Sequence, residues 1–175
     1  ELVRQRSLQL EALHEAALAL TNELDLETVL QKVVDLSREL LNAKYGALGV
    51  LNANSSQIAQ FITSGMSPEA RARIGSPPRG HGLLGVISPG GEPLIVSDIQ
   101  KDPRSVGFPP GHPPMKGLLC VPIKSKGEIF GNLYLADKLA ANTDVEEEQL
   151  ANFGESDRQL LEKFATQAAI AIENA

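Results

Sequence analysis

The stretch GLLCVPIKSKGEIFGNLYLAD, residues 117–137, decides the fold. It divides into two runs, GLLCVPIKS and KGEIFGNLYLAD, separated by a turn signal at Ser125 to Gly127. Apolar residues fall on both faces of each run, which predicts strands of a sheet covered on each side. Upstream, YGALGVLN and QIAQFIT read as two more strands, and NANSS between them predicts a hairpin whose loop exceeds two residues. Downstream, residues 139–154 are polar and acidic (TDVEEEQ), the composition of an exposed excursion.

Helices flank this strand-rich centre. From Val3 to Leu20 the apolar positions Val3, Leu10, Leu13, Ala17 and Leu20 keep a three-four spacing, broken by Arg6. Asp25 is placed to cap a second helix, LETVLQKVVDLSRELL, with a broad apolar face of Leu26, Val29, Leu30, Val33, Leu36, Leu40 and Leu41. Near the other end, Ser156 with Gln159 forms a capping-box signal for a last helix whose seam runs Leu161, Ala165, Ala168, Ile172. Residues 76–116 hold most of the prolines and glycines, with a short helix expected around LLGVIS and a short strand at PLIVS. Another short helix is expected from Ser67-Pro68 to Gly75. The order predicts an α+β domain: an antiparallel sheet with the terminal helices on one face. The irregular segment then forms the roof of a pocket on the other face.

Composition narrows the function. The 175 residues suit one domain large enough for a core without disulfides or structural metal. A net charge of −6, with no basic cluster, argues against nucleic acid or an anionic membrane as the partner. No apolar run approaches the ~20 residues of a bilayer span. Cys120 stands alone, which excludes an internal disulfide and makes the cytoplasm the expected compartment. The chain begins ELVRQRS and ends QAAIAIENA, both in helical pattern, so it is expected to be a segment of a longer protein. Residues 1–22 then form a signalling or dimerisation helix before a single domain over 23–175. Its last helix, 156–175, would continue into an output region.

Candidate chemistry is sparse. Cys120 lies in an apolar strand with no charged neighbour to activate it, so a buried structural thiol is the reading. Asp144, Glu146, Glu147 and Glu148 lack the spacing of a calcium loop and read as solvated. No glycine-rich phosphate motif occurs, and no active site is expected. His14 and His81 read as local structural residues. His112 differs: in GFPPGHPPM, residues 107–115, four of the six positions from 109 to 114 are proline. Fixed proline φ angles present that imidazole with little ordering cost. A haem iron takes one imidazole nitrogen inside an apolar slot, though one histidine is a weak signal. Tyr134 lies 22 positions later, and strand alternation groups it with Asn132 and Phe130 on one face. It points either into the pocket or to a sheet edge.

These residues are similar to a known family. AKYGALGV, GLLGVI with EPLIVSDI, DPRSVGFPPGHPPM with LLCVPIK, and FGNLYLADK together resemble the GAF domain, a sensory module. More narrowly, the chain resembles the first GAF domain of the DevS/DosT haem-sensor histidine kinases. The resemblance implies a haem b cofactor, with His112 as proximal iron ligand and Tyr134 on the distal side. It implies a sensor of dioxygen, carbon monoxide, nitric oxide or redox state. The partners implied are a diatomic gas, a kinase output domain and a second copy through the terminal helices; no enzyme activity is expected of this segment. Phe61, Ile62, Leu83, Val86, Ile87, Phe108, Met115, Leu118 and Leu119 are the residues expected around the haem. One departure is Gly49, at a strand position that is acidic in some relatives. The alternative reading is a GAF module without haem that binds another small molecule or homodimerises within a signalling protein.

Overall fold

A computed structural model of the chain describes residues 2–21, 25–51, 58–65, 92–99, 101, 115–125, 127–139 and 150–174. Within these, helix α1 (Leu2–Thr21) and helix α2 (Leu26–Leu41) precede strands β1 (Ala43–Leu51) and β2 (Ile58–Ser64). Strands β3 (Leu94–Val96), β4 (Leu118–Ser125), β5 (Glu128–Leu139) and β6 (Leu150–Ala151) follow, then helix α3 (Glu155–Asn174). The sheet order is β2-β1-β5-β4-β3, every pair antiparallel, with β6 joining the far end of β5. This is the α+β sheet expected from the sequence. The expected short helices at 67–75 and around LLGVIS, and the NANSS turn, lie outside the described residues.

The helices begin and end for local reasons. Asp25 caps α2, its carboxylate accepting from the Thr28 amide at 3.1 Å and the Thr28 hydroxyl at 2.7 Å. Asn42 closes α2 in the left-handed conformation (φ 55°), its amide reaching back to Arg38 and Glu39 carbonyls. Its side chain then donates to the Leu139 carbonyl at 3.2 Å, tying the helix end to β5. The start of α3 corrects the sequence reading. The helix opens at Glu155, and Asp157, not Ser156, supplies the cap by accepting from the Gly154 amide at 2.8 Å. A carboxylate in the third helical position reaching back is the reciprocal half of a capping box, so the spacing was right but displaced by two residues.

The helices cover one face of the sheet. Val29, Leu30, Val33 and Val34 of α2 and Leu161, Phe164, Ala165 and Ala168 of α3 pack with Leu48, Leu119, Val121, Leu133 and Leu135 of the sheet. The α3 seam therefore faces its own sheet. Leu161, Ala165 and Ala168 are buried in the fold rather than held for a partner. In α1, Leu20 is buried while Leu8 and Leu10 are exposed. Close packing depends on Gly46, where an added Cβ would stand 3.2 Å from Leu135, and on Gly131, where it would meet the Gly49 carbonyl oxygen at 2.2 Å. Gly131 lets β1 and β5 approach as the ladder requires.

Residues 139–154 are not simply an exposed excursion. Leu150–Ala151 pair with Lys138 and Leu139, and Phe153 is buried in the helix-side core. The acidic residues 144–148 lie outside the described residues.

Candidate ligand-binding site

Strand β5 is central, and alternation sends its side chains to opposite faces. Leu133 and Leu135 enter the helix-side core. Tyr134 turns the other way, into a second cluster with Val96, Ile99, Leu118 and Cys120, against which Ala47, Phe61, Leu94 and Met115 pack. Tyr134 is 5% exposed, and its ring centroid stands 6.3 Å from that of Phe61 at an interplanar angle of 46°. Across the ladder Tyr134 lies between Ala47 and Cys120, both small.

The structure brings together Tyr134, Phe61, Met115 and Leu118 of the residues expected at the pocket. It separates two others. Ile62 and Leu119 belong to the helix-side core, because each directly adjoins in sequence a residue that faces the second cluster. The expectation that Phe61 and Ile62, or Leu118 and Leu119, line one pocket conflicts with the period-two geometry of a strand. Phe130 also leaves the Tyr134 face. The β4–β5 register slips between Ile123 and Lys124, so Phe130 is the extra residue of a bulge and packs against the helix-side core. His112, Leu83, Val86, Ile87, Phe108 and His81 lie outside the described residues.

Asn132 is a residue that the sequence reading placed on this face without assigning it a role. It is 1% exposed, and among the described residues neither its amide nitrogen nor its carbonyl oxygen has a hydrogen-bond partner. Its ladder neighbours are Pro122 on β4 and Gly49 on β1. A polar amide among the apolar residues of a strand buried on both faces was the available signal. Cys120, by contrast, is inert: burial pushes its thiol well above the ordinary range, so it stays protonated at neutral pH. Among the described residues no three His, Cys, Asp or Glu side chains converge as a metal site.

The far end of β5 connects this face to α3. Asp137 is buried at positive φ (60°), and its carboxylate accepts from the Lys116 and Gly117 amides at 2.7 and 3.0 Å. Lys138 reaches the other way, to Asp157 at 2.5 Å, the residue that caps α3. Two consecutive residues thus join the chain just after Met115 to the first turn of α3.

The chain is thus an antiparallel-sheet domain with helices on one face and a buried, partly polar cluster on the other. The chain belongs to the GAF domain family, whose model matches residues 23–173. The GAF domain of an Acinetobacter phosphoenolpyruvate-protein phosphotransferase superposes with a TM-score of 0.75 at 18% identity, over 96% of this chain and 94% of that one. That of the Coxiella burnetii enzyme gives 0.76 at 23%, over 95% and 94%. The free methionine-R-sulfoxide reductase of Neisseria meningitidis, solved with its substrate, gives 0.72 at 18%, over 97% and 91%. At these identities the likeness is one of fold. GAF domains are signalling and small-molecule-binding modules, generally regulatory, and the reductase is an enzyme on the same fold. No described helix is long and apolar enough to cross a membrane.

Proposed function

We propose that this domain is a haem-based gas or redox sensor of a two-component histidine kinase. In this reading His112 ligates the iron of haem b and Tyr134 stands on the distal side. The observation that supports it most is the second-face cluster, where Tyr134 is set among Val96, Leu118, Phe61 and Met115. A buried, mainly apolar face carrying one phenol suits a flat, largely apolar cofactor. Met115 packs against that cluster, and His112 precedes it by three residues, a span of about 11 Å at most. The closeness of His112 in sequence to a residue of that cluster supports its assignment as the ligand. Haem would supply an iron centre able to bind a diatomic gas or change oxidation state. The protein's part is to hold that centre in an apolar site, to offer the Tyr134 phenol as a donor, and to exclude bulk water.

The same reading assigns homodimerisation to the terminal helices, supported by the exposed Leu8 and Leu10 of α1 and Ile170 of α3. Their continuation would lead to the kinase output, in the cytoplasm. The test is haemin titration of the purified domain beside His112→Ala, followed in the Soret region. The expected result is a sharp band saturating at one haem per chain and lost in the variant. A weak, broad band indifferent to the substitution would overturn the reading and leave a GAF module that binds another small molecule or homodimerises.

A further inference from the structure

Buried side-chain amides in folded proteins almost always find partners, because an unpaired polar group loses its water without compensation. Asn132 departs from this at both ends of its carboxamide. Its sheet neighbours cannot help. Pro122 has no N–H, Gly49 has no side chain, and the backbone of β5 is engaged in ladders on both sides. With each atom exposing less than 1 Å², bulk water does not reach it either. With no partner among the described residues, the open direction for one is above the second face, in the row next to Tyr134.

We propose that Asn132 is a ligand-contacting residue of this face, its Nδ2 donating to an oxygen atom of the bound molecule. Its Oδ1 then takes a hydrogen from water admitted with that molecule. Two donors on one strand, the Asn132 amide and the Tyr134 phenol, bias the site toward ligands with an oxygen acceptor. Under the haem reading, on which this inference rests, the residue favours dioxygen over carbon monoxide, since the polar ligand gains more from a donor. Asn132 is thus a specificity residue beside Tyr134.

The experiment compares wild type, Asn132→Leu and Asn132→Ser. Thermal midpoints are measured without haem. Dioxygen dissociation rates and the C–O stretching frequency are measured after haemin loading and reduction. Asn132→Leu is expected to raise the haem-free midpoint, because an apolar isostere removes an unpaired amide. It should also speed dioxygen release about tenfold, the size of one hydrogen bond, and raise the C–O stretch. Asn132→Ser, which keeps a donor, should fall between the two and serves if the leucine variant does not fold. Loaded proteins with equal rates and stretches would overturn the inference while leaving the haem reading standing. A lower haem-free midpoint in both variants would also overturn it, by showing that the amide supports the fold. A wild-type domain that takes up no haem would overturn both.

Discussion

The two faces of the sheet are built from the same strands and differ in almost every other respect. The helix side is built mainly of apolar side chains, with Leu119, Val121, Leu133 and Phe164 fully buried, and its buried Ser37 hydroxyl donates to the Val33 carbonyl. Opposite it, alternate residues of the same strands give Tyr134, Asn132 and Cys120, a buried set with polar atoms and small neighbours. One face maximises buried apolar area, the main favourable term in folding. Its opposite keeps polar groups out of water at some cost, which native proteins concentrate at functional sites.

Adjacent leucines on β4 offer the sharpest way to break this comparison. Leu119→Ala should cost about 2–5 kcal/mol, toward the upper end, since the site is closed on all sides by helix and sheet. Haem affinity, measured at a temperature where the variant stays folded, should not move. Leu118→Ala should cost nearer ~2 kcal/mol and, under the haem reading, weaken haem uptake instead. Denaturant titration and Soret titration of the two variants read both quantities. Equal behaviour would mean that the faces are not functionally distinct.

A smaller effect is expected at Asp137, which serves neither face but joins them. Asp137→Ala leaves the Lys116 and Gly117 amides without their acceptor and should cost about 1–3 kcal/mol. Asp137→Asn keeps an acceptor oxygen and tolerates the left-handed backbone, so denaturant titration should place it close to wild type. The smallest effect belongs to Asp25, exposed at the start of α2. Hydrogen bonds from the Thr28 hydroxyl and amide hold its carboxyl below the ordinary value. A depressed folded-state pKa gives stability that is present above the unfolded-state value, near 4, and fades as pH falls through the folded one. Asp25→Ala should therefore lower the thermal midpoint slightly at pH 7 and make no difference at pH 2.

Much of the fold was legible because its signals are local and periodic. The Asp25 cap of α2 and the β4–β5 pair follow from residue order alone. The two-residue β6 and the burial of Phe153 were not, since pairing with Lys138 and Leu139 is a long-range choice that two residues cannot announce. At the site, Tyr134 and Phe61 were readable by alternation. Ile62 and Leu119 were misplaced by ignoring the same rule, and Phe130 by a bulge that breaks it. Asn132 lacked any motif; only the finding that both polar atoms are buried and unpartnered singles it out.

The make-up of the helix-side core has a consequence for the order of synthesis. Leu160, Leu161, Phe164, Ala165, Ala168 and Ala169 of α3 close a face whose other members come from α1, α2 and the sheet. Until residues 155–174 have emerged, strands already outside can pair, but Leu119, Val121 and Leu133 lack part of their cover. A nascent chain paused there presents an apolar sheet surface to the cell, the kind that holdase chaperones bind. The domain therefore becomes a finished folding unit only when its last helix has left the ribosomal tunnel.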